Sequence, residues 1–327
     1  MTQAVVLFAA CGAVAVSRAQ NVTLEPLRAA GYGEVRLKRP LPNAITVSAD
    51  VDGRPKRLLV DTSWLEDGVG LIGESVGSYV APVTGSEIPL TRRGPLAQRV
   101  TLGNVQLTSV PIVYGKFPQL RDTIMHREIA ADGIIGTGFL HTCSAFIDLQ
   151  NFRLYLRPPD QGRRVVIGKA LMAAGMNEIP LQETSQHAEL VEAEVNGVSV
   201  KMLLDTGAYL AAIDSRLAAQ IHARSIKTNY NFLRPGPAED ILHIARIDAH
   251  AREVEELVRN APMTRLQSFK LAEVPVHVPD IRLRTVTTPL HLRVMGLLGM
   301  DILGPNGAII DFGQKKLYIY RSESKRR

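Results

Sequence analysis

Val191-Glu192-Ala193-Glu194-Val195-Asn196-Gly197, then Met202-Leu203-Leu204-Asp205-Thr206-Gly207, is an alternating apolar run, a turn signal and a second apolar run that ends on an aspartate. The same statement stands earlier in the chain, as Val47-Ser48-Ala49-Asp50-Val51-Asp52-Gly53 followed by Leu58-Leu59-Val60-Asp61-Thr62-Ser63. Thr62 and Thr206, like the aspartates before them, lie 144 residues apart. At that shift Val47, Ala49, Val51, Gly53 and Leu59 all meet identical residues. Period-two alternation closed by Asp-Gly or Asn-Gly is the signature of a β-hairpin, so each copy reads as strand, turn, strand, aspartate.

A second repeat follows each aspartate. Gly133-Ile134-Ile135-Gly136, Phe139-Leu140, Phe146-Ile147-Asp148-Leu149 and Leu154-Tyr155-Leu156 return as Gly296-Leu297-Leu298-Gly299, Ile302-Leu303, Ile309-Ile310-Asp311-Phe312 and Leu317-Tyr318-Ile319. Here the shift, from Gly133 to Gly296, is 163 with no internal gap. Two registers mean one duplicated unit with an insertion in its second copy. Two long copies predict two similar lobes, whereas a solenoid needs three or more short units.

An apolar strand ending in Asp-Thr-Gly, with a later apolar-apolar-Gly segment in the same unit, resembles the retropepsin and pepsin superfamily of aspartic proteases, and bacterial retropepsin-like proteins in particular. Leu203-Leu204-Asp205-Thr206-Gly207-Ala208 is similar to the retroviral-type active-site loop at every position, and the resemblance covers roughly residues 45–156 and 189–320. It implies a mostly β fold of two tandem β-barrel lobes related by a pseudo-twofold axis. It implies Asp61 and Asp205 as the catalytic pair, with Thr62, Ser63, Thr206, Gly207 and Ala208 supporting the loops. The two threonines would exchange hydrogen bonds between the lobes.

The chemistry accounts for the residue types. Two carboxylates a hydrogen-bond length apart cannot both ionise, so they share a proton and act as base and acid together on a water that attacks the scissile carbonyl. No cofactor and no metal is needed, and no CxxC, HExxH or spaced His/Cys cluster indicates a metal site. The first copy departs from the family pattern at Ser63-Trp64, where a glycine and a small residue are usual. A serine hydroxyl there can hydrogen-bond a neighbouring carboxylate, while an indole can fill space that a substrate or the partner loop needs. Two readings therefore stand beside the working endopeptidase: a catalytically silent peptide-binding or envelope-interaction protein, and a homodimer that pairs Asp205 with its symmetry mate. Asp148 and Asp311 each precede a turn between strand-like runs and read as hairpin residues.

The organisation follows from the repeats: a signal peptide over 1–19, a first lobe over 20–157, a linker and lead-in over 158–188, a second lobe over 189–320 and a basic tail over 321–327. Ala4 to Val16 is too short an apolar run to span a bilayer, and Ser17-Arg18-Ala19 suits signal peptidase, so a periplasmic or secreted protein starting at Gln20 is expected. A lipoprotein cleaved before Cys11 is the alternative, as is an uncleaved buried segment. Cys143 then has no internal disulfide partner.

Strands are expected over Leu102–Val105, Leu107–Val113 and Leu271–His277, with Arg92-Arg93 and Arg163-Arg164 in loops. Asp214-Ser215 starts a helix running to His222, and Ile241, Ile244, Ile247, Ala251, Val254 and Val258 recur at helical spacing as a core-facing insertion, on which His243 and His250 are solvated. Hydrophobic residues at 46% and charged ones at 21% describe an ordinary globular chain. The net charge of +6 comes with only 5% aromatics, which argues against a nucleic-acid surface. The expected partner is a peptide or protein substrate, with no stable membrane insertion after signal cleavage and a monomeric chain.

Overall fold

The computed structural model describes residues 24–41, 44–73, 78–80, 87–89, 91–117, 121–122, 127–128, 131–159, 165–208, 210–225, 262–276, 278, 280–284, 286 and 293–320. The signal segment, the basic tail, Arg163-Arg164, His277 and the helix expected between Ile241 and Val258, with its two histidines, lie outside these residues.

The first half contains helix α1 (Glu25–Ala29) and strands β1 (Gly33–Arg36), β2 (Lys38–Leu41), β3 (Ala44–Val51), β4 (Arg54–Val60), β5 (Val69–Ile72), β6 (Ser78–Val80), β7 (Glu87–Pro89), β8 (Thr91–Leu102), β9 (Val105–Gly115), β10 (Arg121–Asp122), β11 (Arg127–Glu128) and β12 (Gly133–Ile135). Helix α2 (Thr137–Thr142) and strands β13 (Phe146–Asp148) and β14 (Arg153–Leu156) complete it. The second half contains α3 (Gly168–Ala173), β15 (Met176–Glu183), β16 (Glu189–Val195), β17 (Val198–Leu204), β18 (Ala212–Asp214), α4 (Ser215–Gln220), β19 (Met263–Thr264), β20 (Phe269–Leu271), β21 (Val274–Pro275) and β22 (Ile281–Arg284). It ends with β23 (Gly296–Leu298), a short helix Met300–Leu303, β24 (Ile309–Asp311) and β25 (Lys316–Tyr320).

The chain is mostly β. In the first lobe β3, β4, β12, β5, β9 and β8 follow one another and β8 pairs back onto β3, which closes a six-stranded barrel. The second lobe repeats the arrangement as β16, β17, β23, β18 and β22, with β19 and β20 at its margins. In both, the strand that precedes the aspartate runs parallel to the apolar-apolar-Gly strand: Leu59 faces Ile134, and Leu203 faces Leu297. Alternation fixes which face is buried. In β16 Val191, Ala193 and Val195 point inward while Glu192 is exposed.

The hairpin turns form as the sequence predicts. Asp52-Gly53 and Asn196-Gly197 take φ of 50° and 80°, and of 48° and 84°. Positive φ at both central residues is the type I′ geometry, whose twist matches the strands it joins.

Six strands form one sheet along the seam, in the order β1, β14, β13, β24, β25, β15. At its centre β13 and β24 pair antiparallel with Ile147 opposite Ile310. These two residues match each other in the repeat, so an approximate twofold axis passes between them. Both are fully buried, and each such side chain contributes about 1.5–3 kcal/mol.

Three expectations change. Residues 158–188 hold more than a lead-in, because β15 pairs with β25 on one side and β16 on the other and so joins the seam sheet to the second lobe. Arg92 and Arg93 lie within the long strand β8, not in a loop. The strand expected over Leu271–His277 is two short strands, β20 and β21, split by a turn at Ala272-Glu273 where Ala272 takes φ of 48°. The helix expected from Asp214 is α4, capped when the Asp214 carboxylate accepts the Arg216 N–H at 2.8 Å.

Candidate active site

Each aspartate ends a buried strand and is tied to the strand beside it. The Asp61 N–H donates to the Ile135 carbonyl at 3.0 Å, and the Asp205 N–H to the Leu298 carbonyl at 3.1 Å. The two loops then lock together through their threonines. Thr62 N–H donates to Thr206 Oγ1 at 3.1 Å, and Thr206 N–H to Thr62 Oγ1 at 2.9 Å. Each hydroxyl passes its proton onward to the opposite strand: Thr62 Oγ1 to the Leu204 carbonyl at 2.8 Å and Thr206 Oγ1 to the Val60 carbonyl at 3.2 Å. All four bonds are buried and cross from one lobe to the other, where water does not compete with them.

The carboxylates receive equivalent donors by different means. Asp205 Oδ1 accepts the N–H groups of Gly207 and Ala208, both at 2.9 Å. Asp61 Oδ1 accepts the Ser63 N–H at 2.8 Å and the Ser63 hydroxyl at 2.7 Å. The serine that breaks the family pattern thus supplies the second donor that Ala208 gives in the other loop. Trp64 does not enter the opposite loop. It packs with Leu59, Val113, Phe117 and Ile134, all of the first lobe, and meets Phe117 edge-on at 5.8 Å.

The structure brings Asp61 and Asp205 together. A Cβ built on Gly207 would stand 2.4 Å from Asp61 Oδ2, so the first carboxylate rests on the Cα of the second loop. Only glycine permits that approach. Burial raises the Asp61 carboxyl above its ordinary range, against the two Ser63 donors that favour its charged form. Burial also raises Asp205, the Asp61 charge raises it further, and with the Ala208 and Gly207 N–H groups and the Arg284 guanidinium opposing, it comes to about 7. Crowding and burial thus disfavour ionising both carboxyls at once.

Sequence reasoning left Asp301 out. It is pushed to about 7 by burial and accepts the Ala211 N–H at 2.7 Å, bracing the second loop from below. The matching residue of the first lobe is Gly138, and an acid standing where its copy has glycine is the signal that would have marked it. Cys143 is buried, and burial pushes its thiol up to about 12, which removes it as a nucleophile at neutral pH. Asp148 and Asp311 act as hairpin residues, accepting the N–H groups of Asn151 and Gln314, both at 2.9 Å.

Residues 191–302 match the family described as Aspartyl protease. A search among curated proteins finds no match. Among solved structures, the chain is similar to the aspartic proteinase from Irpex lacteus, with 13% identity over 90% of this chain and 98% of that one and a TM-score of 0.47. It is also similar to Basic 7S globulin from soybean, with 9% identity over 89% and 95% of the two chains and a TM-score of 0.48. The family match falls on the second lobe, and the first lobe repeats the same aspartate loop and apolar-apolar-Gly strand.

Proposed function

We propose that this chain is an exported aspartic endopeptidase that hydrolyses peptide bonds with a water activated between Asp61 and Asp205. The observation that carries the reading is the contact of the Asp61 carboxylate with Gly207, held by the reciprocal Thr62–Thr206 bonds. A pair carrying one proton presents a base and an acid at once. The ionised member takes a proton from water, whose oxygen bonds to the scissile carbonyl carbon while the protonated member hydrogen-bonds the carbonyl oxygen. The C–N bond then breaks as a proton passes to the leaving nitrogen, and the pair returns to its singly protonated state. The proton balance closes without a covalent intermediate. Export rests on the apolar stretch and the small residues before Gln20.

The test is cleavage of a diverse peptide library between about pH 3 and 7. Activity should vanish in Asp61→Asn and in Asp205→Asn while both variants stay folded. Loss in Asp205→Asn alone means that two chains assemble the pair. Peptide binding by the unaltered chain without any cleavage means a silent scaffold.

A further inference from the structure

Across the second-lobe sheet Leu203, Leu297, Ala212 and Arg282 stand side by side in register. Their successors Leu204, Leu298, Ile213 and Leu283 all pack with the main core, so strand alternation puts the first four on the opposite face. Leu203 and Leu297 there join a separate apolar cluster with Leu190 and Val286, against which Leu65 of the first lobe packs. Leu65 follows Asp61 by four residues. This face is therefore the wall that rises from the two aspartate loops.

The duplication supplies an internal control. The corresponding row of the first lobe is Leu59, Ile134, Gly70 and Val113, and Trp64 and Phe117 seal it. Where that lobe has buried Val113 the second has Arg282, and where it has Gly115 the second has Arg284. The Arg282 Nε is buried without a hydrogen-bond acceptor, and neither arginine has an ion-pair partner among the described residues. A buried donor without an acceptor is rare in a finished core and is costly to leave unmade. Burial first, then the neighbouring Arg284 charge, disfavours the charged Arg282 guanidinium. Two adjacent cations that no described residue neutralises suit an anion that arrives from outside. Arg284 also acts on Asp205 itself, which keeps the pair within reach of the reacting centre.

We propose that Arg282 and Arg284 form a subsite for the carboxylate of an aspartate or glutamate side chain in the bound peptide, so that the second-lobe wall selects acidic substrates. This rests on the peptidase reading of the Asp61 and Asp205 pair. A guanidinium presents paired N–H donors that match a carboxylate, and the chain's net charge of +6 attracts acidic partners from a distance.

The experiment uses the full chain and quenched fluorescent peptides of one sequence, in which a single Glu, or Gln in its place, is moved through every position. At one or two positions the Glu peptide should have kcat/KM roughly tenfold above its Gln twin. The ratio should fall toward one in Arg282→Gln and in Arg284→Gln, and Arg284 is exposed, so the latter change leaves the fold intact. The double change Arg282→Glu with Arg284→Glu should turn the preference toward Lys. A ratio near one at every position, or a preference that survives Arg284→Gln unaltered, overturns the subsite while leaving the peptidase standing. If nothing is cleaved the peptidase reading fails, and fluorescence anisotropy with the same peptides decides the subsite separately: tighter binding of Glu that is lost in Arg284→Gln supports it, and equal affinities overturn it.

Discussion

His141 Nε2 in the first lobe stands 2.6 Å from Glu189 Oε1 in the second. Glu189 is fully buried and occupies the place that Ile45 fills in the first lobe. Neither carboxylate oxygen has an aligned hydrogen bond, so the 2.6 Å approach of the imidazole is the close polar contact that the carboxylate keeps among the described residues. A reciprocal contact crosses the other way, with His187 Nε2 of the second lobe 3.1 Å from Asp67 Oδ1 of the first. Glu183 joins the two, 2.6 Å from His187 Nδ1, 3.7 Å from His141 Nε2 and 2.7 Å from Lys315 Nζ. The seam is thus fastened by ionisable groups as well as by the central sheet. Glu189 opens β16, beside the strand that delivers Asp205, and His141 lies on α2, whose Thr137 N–H donates to the Trp64 carbonyl at 2.9 Å.

Breaking this pair on one side should be far worse than replacing both partners. Removing one partner of a buried polar contact leaves the other unsatisfied and costs about 1–3 kcal/mol, whereas replacing both partners by apolar groups of similar shape can be nearly neutral or stabilising. Glu189→Gln and His141→Leu should each lower the denaturant midpoint, and Glu189→Ile with His141→Leu should recover most of the loss, because isoleucine already fits the matching site of the first lobe. A double variant that is as unstable as the sum of the singles sinks this account.

What the sequence made legible is what the two lobes share. The I′ turns at Asp52-Gly53 and Asn196-Gly197, the strands into the aspartates and the Ile134-Ile135 and Leu297-Leu298 strands follow from local alternation and from the repeat. What it hid lies at the seam, where the copies must differ or where partners are distant in the chain. Glu189 reads as one more charged residue near the turn at Ser185-Gln186, and nothing local says that it is buried against a histidine in α2. The place of β15 was hidden for the same reason, since Pro158 and Gly162 punctuate a linker whose later residues pair with a strand near the C-terminus. Ser63 was legible as a departure, but its compensation required seeing that both its donors reach one carboxylate oxygen.

Gly207→Ala should disable the site while sparing the fold. The new Cβ would stand 2.4 Å from Asp61 Oδ2 and 2.8 Å from its Oδ1, distances that real contacts do not reach, so the carboxylate must move. The Thr62–Thr206 bonds are formed by other atoms and persist. Circular dichroism unchanged with peptide hydrolysis lost is the expected pair of results. Retained hydrolysis means that Asp61 does its work from another position. Ser63→Ala removes one donor from Asp61 and should weaken activity less, since the Ser63 N–H remains.

The elevated carboxyl of Asp205 also makes a stability prediction whose sign is fixed. Unfolded, Asp205 ionises near its ordinary 3.8, while in the folded chain it keeps a proton up to about 7. Between those values the native state binds more protons than the unfolded state, so this residue's contribution to stability falls as the pH rises through the window and is flat above it. Asparagine does not titrate, and its side-chain carbonyl can still accept the Gly207 and Ala208 N–H groups. It also carries no charge for Asp61 to repel. Asp205→Asn should therefore match the parent chain near pH 4 and exceed it at pH 8 by on the order of 1–3 kcal/mol. Melting temperatures of the two proteins across this range read the effect directly, and taking their difference cancels the titration of every other group that the change leaves alone, Asp301 among them. A difference that is constant with pH, or that shrinks as pH rises, would show that Asp205 ionises in the folded chain as it does in water, and the shared-proton pair would lose its physical basis.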